Sequence, residues 1–217
     1  MKTGILFDLD GTLLNTLEDL RDGVNYALTQ CGYPTRSLKE IRTFVGNGAR
    51  NLITRSLPEN PTEEQIDSTL AVFQGYYKDH CQIKTRPYPG VLEALTQISE
   101  TYPIAIVSNK PDGATKALCA QYFPGVFALG ERPGCTREPA PDMLYAAMKE
   151  IGVEKCVYVG DSEVDVLTAQ NTGVPCLSVT WGFRDMDVLT AAGGCHFCQA
   201  PQDLPTMLTA LIGETHE

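Results

Sequence analysis

The chain has 217 residues, with 17 Lys or Arg against 27 Asp or Glu, so its formal net charge is −10. This acidic balance argues against nucleic acid or an anionic membrane as a partner. No basic and apolar leader opens the chain, and no apolar stretch approaches the ~20 residues that span a bilayer. We therefore expect a cytoplasmic protein of one domain, or one domain with an insertion, as a monomer or homodimer.

The first segment with a clear structural pattern is the apolar run at residues 4–8, which is typical of a buried strand. Residues 15–83, called here the helical insertion, then show helical spacing only. Thr16 and Asp19 have the spacing of a capping box at the start of its first helix. Further helices are expected at 37–44, 48–57 and 62–79.

After the insertion, short runs rich in β-branched residues alternate with segments of helical spacing. This alternation predicts a parallel sheet with helices on both faces. The predicted fold is α/β, a doubly wound, Rossmann-like core of residues 1–14 and 84–217 with an inserted helical cap domain at 15–83. The expected strands are 104–108, 126–129, 156–160 and 175–179, and the expected helices are 113–122, 141–151 and 163–171.

Polar residues follow three of the predicted strands at the point where each strand ends. They are Asp8, Ser108 and Asp161. Each residue taken alone could be a turn or helix-cap residue. The carboxyl ends of parallel strands meet at one edge of the sheet, where ligands of open α/β sheets bind. The coincidence of all three at that edge predicts a functional site.

Three short motifs contain these residues: DLDGT at 8–12, SN at 108–109 and GDSEVD at 160–165. In order and spacing they resemble the motifs of the haloacid dehalogenase-like phosphatase superfamily over essentially the whole chain. The helical insertion is similar to the C1 cap of that superfamily. The segments 44–50 and 180–184 look like the corresponding parts of its phosphoglycolate phosphatases.

The resemblance implies a role for each acidic residue. Asp8 would be the nucleophile that forms an aspartyl-phosphate, and Asp10 would act first as acid and then as base. The carboxylates of Asp8 and Asp161 and the carbonyl oxygen of Asp10 would be metal ligands, with Asp165 in the same cluster. Several carboxylates around a phosphate dianion require a divalent cation, and hard oxygen ligands suit Mg²⁺.

The resemblance also implies how the substrate is bound. Ser108 and Asn109 would contact the phosphoryl group. The third motif of the family usually reads Lys-Pro-x-Pro, and this chain has Glu138 at the lysine position. Arg137 or Lys110 would then supply the missing positive charge, with Arg137 favoured. Arg50 could pair with a carboxylate of the substrate.

The motifs predict an Mg²⁺-dependent phosphatase acting on a small phosphorylated metabolite, most like phosphoglycolate. Two other functions stay open. One is a sugar phosphomutase on the same scaffold, and the other is a non-catalytic binding module, which Glu138 would favour. Cys195 and Cys198 have the spacing of a redox or zinc motif, but neither a helix start nor a second ligand pair accompanies them. We expect reduced thiols and assign them no role.

Overall fold

A computed structural model describes residues 2–214 of the protein. The strands are β1 (Thr3–Phe7), β2 (Leu14–Asn15), β3 (Arg86–Pro87), β4 (Ile104–Pro111), β5 (Phe127–Glu131), β6 (Lys155–Gly160), β7 (Cys176–Val179) and β8 (Phe197–Cys198). The helices are α1 (Leu17–Gln30), α2 (Leu38–Phe44), α3 (Gly48–Ser56), α4 (Glu63–His80), α5 (Val91–Ser99), α6 (Asp112–Tyr122), α7 (Asp142–Glu150), α8 (Glu163–Thr172), α9 (Met186–Ala191) and α10 (Leu204–Glu214).

Six strands form one sheet in the order β5-β4-β1-β6-β7-β8, and every neighbouring pair in it is parallel. The first strand lies in the middle, where Ile5 is paired with Ile104 on one side and Val157 on the other. The strand order therefore reverses at β1, and the carboxyl ends of β4, β1 and β6 lie side by side. This topology confirms the α/β, doubly wound fold predicted from the sequence.

The sheet is buried on both faces because its strands are apolar at consecutive positions. In β1, Ile5 and Phe7 belong to a core cluster with residues of α5, α6 and α10. Leu6 belongs to a second cluster with residues of α7 and α8. All three side chains are fully buried. A rigid, two-sided core of this kind holds the strand ends at fixed positions relative to one another.

The helical insertion contains α1 to α4, which pack against one another and against the sheet edge. Capping boxes start two of its helices, where Ser37 and Thr62 accept hydrogen bonds from backbone N–H groups three residues on. The capping box predicted at Thr16 is wrong, since its side chain makes no capping bond. Its expected partner, Asp19, binds a distant segment instead.

The chain enters and leaves the helical insertion side by side. β2 and β3 pair in an antiparallel ribbon, with Leu14 opposite Pro87. The buried carboxylate of Asp19 reinforces this junction by accepting bonds from the backbone N–H groups of Lys84 and Thr85 at 2.8–2.9 Å and from the Thr85 hydroxyl at 2.8 Å. The two connecting segments are thereby tied together.

The sequence prediction missed several elements of the sheet domain. It did not assign α5, α9, α10 or β8, and it ended β4 at Ser108, whereas the strand runs on to Pro111. Within residues 2–214, none of the helices combines the length and apolar character that crossing a membrane requires.

We expect Asp19→Ala to destabilise the protein by about 3 kcal/mol, because two buried donors of Thr85 and the partly buried N–H of Lys84 would lose their acceptor. Asp22→Ala is the matched control, since Asp22 also contacts Lys84 but through a partly exposed ion pair. Its cost should stay below about 1 kcal/mol. Urea denaturation followed by circular dichroism measures both free energies of unfolding. Equal costs for the two variants would contradict this assignment.

Candidate active site

A pocket opens at the carboxyl edge of the sheet, between the strand ends and the helical insertion. Asp8 follows β1, Ser108 and Lys110 belong to β4, and Asp161 follows β6, and all four line this pocket. The three segments predicted from the sequence to share one edge therefore do share a cavity. Further lining comes from neighbouring residues of these segments, from the helical insertion and from the loops at Glu138 and Phe183.

A tight turn after β1 sets the positions of the first two aspartates. Gly11 has a φ of +94°, and a Cβ atom there would lie 2.3 Å from a carboxylate oxygen of Asp161. Only glycine fits both requirements. The hydroxyl of Thr12 lies 3.3 Å from Asp8 Oδ2 and 3.4 Å from Asp161 Oδ1. The turn thus brings the carboxylates of Asp8 and Asp161 to the same hydroxyl group.

The start of α8 fixes the second pair of aspartates. Asp165 Oδ2 accepts bonds from the backbone N–H groups of Asp161 at 3.1 Å and Ser162 at 2.8 Å, and from the Ser162 hydroxyl at 2.7 Å. The backbone N–H of Ser162, the N-cap of α8, is one of the donors that a helix start leaves without an intrahelical partner. Asp161 in turn accepts a bond from the backbone N–H of Phe183. Both side chains are therefore held rigidly.

Glu138 lies inside the same pocket and is 2% exposed. Asn109 holds its backbone, with Asn109 Nδ2 donating to the Glu138 carbonyl at 3.1 Å and the Glu138 N–H donating to Asn109 Oδ1 at 2.9 Å. The hydroxyl of Tyr158 bonds to Glu138 Oε1 and also lies 3.3 Å from Asp165 Oδ1. The carboxylate of Glu138, which stands where the third motif usually has lysine, is thus buried beside the other acids.

Three of these carboxylates form a group that could hold a metal ion. One oxygen each from Asp8, Glu138 and Asp165 lie within 4.8 Å of one another. Burial, followed by the charge of Asp165, raises the pKa of Glu138 to about 8 and that of Asp161 to about 8. Burial and the neighbouring acids also raise the pKa of Asp8 well above its usual value. The pocket therefore disfavours full ionisation of these carboxyl groups unless a cation is present.

Lys110 is the cation closest to this charge. Its Nζ atom lies 2.9 Å from Asp10 Oδ2 and donates to the hydroxyl of Tyr77 at 2.9 Å, and the lysine side chain is 2% exposed. Burial lowers the pKa of Lys110, but Asp10 and Tyr77 outweigh it and the net change is upward. Within residues 2–214, no other Lys or Arg forms an ion pair with the pocket acids.

The two predicted arginines lie outside the pocket. Arg137 is 3.7 Å from Glu131 in a partly exposed ion pair, so it does not reach the acids as we had favoured. Arg50 pairs with Glu63 and Asp67 of α4 on the surface and does not line the cavity. Ser108 and Asn109 do line it, and both are buried.

Arg184, which the sequence analysis did not single out, joins the helical insertion to the sheet. Its guanidinium donates to the carbonyl oxygens of Arg42 at 2.8 Å and of Val45, and pairs with Glu163 at 2.6 Å. Arg42 in return donates to the Gly182 carbonyl at 3.3 Å. These contacts hold the loop after α2 against the pocket.

Tyr77 and Tyr158, the two tyrosines bonded to Lys110 and Glu138, also escaped the sequence analysis. Each reaches its partner from a distant element, and no local pattern marks either position.

The cysteines contribute nothing to this site. All eight are free thiols. Cys195 is exposed, and Cys198 is buried with its Sγ atom 3.2 Å from the Ala200 carbonyl. The one group among residues 2–214 whose spacing could hold a metal ion contains carboxylates only.

Comparison with known proteins agrees with this geometry. The family model described as haloacid dehalogenase-like hydrolase matches residues 5–179. The phosphoglycolate phosphatase of Rhodobacter capsulatus is 35% identical over 207 residues, covering 90% of this chain and 93% of that protein. Phosphoglycolate phosphatase 1 of Pseudomonas aeruginosa is 33% identical over 193 residues, covering 83% and 70% respectively.

A solved structure from Lactobacillus delbrueckii subsp. bulgaricus, provisionally named a phosphoglycolate phosphatase, is similar throughout. Its TM-score is 0.89 at 37% identity, and the alignment covers 96% of this chain and 99% of that one. The shared sheet topology, the motif residues at its carboxyl edge and the matched family model lead to one conclusion. The chain belongs to the haloacid dehalogenase-like hydrolase family.

Proposed function

We propose that the protein is an Mg²⁺-dependent phosphatase that hydrolyses a small phosphorylated metabolite through an aspartyl-phosphate. The observation that carries this proposal is the single pocket in which Asp8, Asp10, Ser108 and Lys110 meet Asp161. The names of the relatives support phosphoglycolate as the first substrate to test. The reaction is the transfer of a phosphoryl group from an alcohol oxygen to water.

Two aspartates carry the two steps. An oxygen of Asp8 attacks phosphorus as the bond to the leaving oxygen breaks, and Asp10 gives that oxygen a proton. Water then attacks phosphorus, Asp10 takes the proton from this water, and the bond to Asp8 breaks. The turn at Gly11 supports this division of labour, because it places both side chains in the cavity.

The donors in the pocket fit a hard divalent cation. One buried oxygen of Asp10, Oδ1, has no hydrogen-bond partner among the described residues, and the carboxylates of Asp8, Asp161 and Asp165 surround the same space. We propose that Asp8, Asp161 and the Asp10 carbonyl hold Mg²⁺, with Asp165 supporting them. The ion would neutralise the phosphate and these acids so that the negative nucleophile can approach.

Lys110 takes the part of the lysine that the third motif lacks. Its ammonium group contacts Asp10 directly and is buried, so its charge acts at full strength in the pocket. The bond to Tyr77 of α4 holds the flexible lysine chain in place. Ser108, whose hydroxyl also lines the cavity, would donate to a phosphoryl oxygen.

The helical insertion, residues 15–83, would act as a cap over the core formed by 1–14 and 84–217. The chain crosses between the two parts at residues 14–15 and 83–84. The paired strands β2 and β3 lie at or next to these crossings, side by side as a hinge would require. The bonds of Arg184 to the loop after α2 would then hold the cap closed.

The lining from the helical insertion favours a small substrate. Tyr77 offers the one polar side-chain group on that side, and the rest are apolar or glycine: Leu20, Val45, Gly46, Gly48, Ala49, Leu52 and Phe73. A sugar ring would bring several hydroxyl groups to partners that this surface lacks. This weighs against the sugar phosphomutase. The binding module is disfavoured because Lys110 supplies a cation despite Glu138.

We expect Asp8→Asn to lower turnover by at least about 10³-fold, because an amide cannot accept the phosphoryl group. Phosphate release from phosphoglycolate and a panel of small phosphomonoesters, with Mg²⁺ or with a chelator, measures this. Free phosphate supports the phosphatase, whereas an isomerised sugar phosphate supports the mutase. Wild-type turnover in Asp8→Asn would contradict the assignment of the nucleophile.

Lys110→Met should lower kcat by about 100-fold or more, because the buried positive charge near Asp10 is lost. Arg137→Met is the matched control, removing an equal charge from a residue outside the pocket, and it should keep near-wild-type kcat. Circular dichroism confirms that both variants fold. A large loss in Arg137→Met with little change in Lys110→Met would reverse our assignment of the compensating cation.

A further inference from the structure

Glu138 occupies the lysine position of the family's third motif, and the proposed mechanism does not use its carboxylate. It is 2% exposed, and its backbone is clamped by Asn109, so the side chain is directed into the pocket by a fixed frame. Charge at this depth is costly unless a partner of opposite sign is present. The nearest acids, Asp8 and Asp165, increase that cost.

Asp8 and Glu138 each have a carboxylate oxygen that is free to bind a ligand from outside the described residues. Asp8 is 8% exposed, and of its carboxylate only Oδ2 receives a donor, the Thr12 hydroxyl at 3.3 Å. Glu138 receives one donor, the Tyr158 hydroxyl, at Oε1. One oxygen of Asp8 and one oxygen of Glu138 therefore accept no hydrogen bond from residues 2–214, and both residues line the cavity.

Among residues 2–214, no Lys or Arg forms an ion pair with Asp8, Glu138 or Asp165. Lys110, the buried cation of the pocket, is paired with Asp10, and Arg184 is paired with Glu163. The oxygens of Asp8, Glu138 and Asp165 lie within 4.8 Å of one another, which is the spacing of ligands around one ion. Carboxylate oxygens are the donors that hard divalent cations prefer.

We propose that Glu138 is itself a metal ligand, which joins Asp8 in holding the divalent cation of the pocket, while Asp165, whose oxygens already accept hydrogen bonds, supports them. At the family's lysine position, Glu138 thus supplies an oxygen ligand to the metal instead of an ammonium group. The ammonium group comes from Lys110 of β4. This inference rests on the proposed function for the presence of the cation, and it concerns only which residues bind it.

The test compares Mn²⁺ and Mg²⁺ binding by chelator-treated protein in isothermal titration calorimetry. Glu138→Gln should weaken the Kd by about 10-fold or more, because a charged oxygen donor is lost. Glu131→Gln is the matched control, since it removes the same charge from a residue outside the cavity, and its Kd should not change. Glu138→Asp keeps the charge but shortens the chain, and it should also weaken binding.

Thermal melting provides a readout that does not depend on turnover. In chelator, Glu138→Gln should melt close to the wild-type temperature, because glutamine keeps the side-chain size and an oxygen that can accept the Tyr158 hydrogen bond. Added Mg²⁺ should raise its Tm less than that of the wild type, as weaker binding to the folded state requires. A folded Glu138→Gln with a smaller Mg²⁺ shift would support Glu138 as a ligand.

Three results would overturn the inference: an unchanged Kd in Glu138→Gln, equal weakening in both glutamine variants, or a Glu138→Asp variant that binds like the wild type. The proposed function fails differently. If the wild type binds Mn²⁺ through Glu138 but releases no phosphate, the proposed phosphatase activity is contradicted and the assignment of Glu138 as a ligand is kept. Mg²⁺-dependent turnover with an unchanged Kd in Glu138→Gln would support the phosphatase and contradict Glu138 as a ligand.

Discussion

Repulsion among buried carboxylates is the constraint on which the rest of this structure depends. The ends of β1 and β6 and the loop at Glu138 bring acids into one cavity, and burial together with mutual repulsion raises the pKa values of Asp8, Glu138 and Asp161. A fold selected for stability alone would gain by replacing such a group with apolar side chains. The arrangement is understandable when the missing positive charge arrives from solution, as a metal ion in the pocket.

The rigid sheet makes this concentration of charge sustainable. Neighbouring strands are locked by paired backbone bonds, and both faces are filled by apolar side chains. The acids at the strand ends therefore cannot move apart to relieve their repulsion. The surrounding hydrogen bonds, such as those from Ser162 to Asp165, hold each carboxylate in place without neutralising it. A site built in this way is ready for a cation before one binds.

The sequence was informative where a short motif coincides with a strand end. Asp8, Ser108 and Asp161 could be placed at one edge because parallel strands share their direction, and no side-chain detail was needed. The helix α5 could also have been predicted, since Val91, Leu95 and Ile98 have helical spacing and are buried. The two-residue strand β8 carries too little pattern to be recognised alone.

Contacts between distant segments could not be read in the same way. Asp19 has local capping spacing with Thr16 but binds Lys84 and Thr85, so a tertiary contact replaced the local one.

The position of the favoured cation, Arg137, could not be predicted from the sequence for a related reason. Arg137 is next to Glu138 in the chain, yet its side chain is 40% exposed while Glu138 is buried. Lys110 lies two residues after Ser108, the spacing that favours one side of a strand, and both residues line the pocket.

The reactive centre can be tested most directly by a crystal structure of the protein with Mn²⁺ and beryllium trifluoride, a mimic of the phosphoryl group that attaches to carboxylates. We expect beryllium bonded to an Asp8 oxygen, with an anomalous manganese peak among the neighbouring carboxylates. Beryllium fluoride bound to any other side chain, or manganese bound only outside the pocket, would contradict the assignment of Asp8 and its metal site.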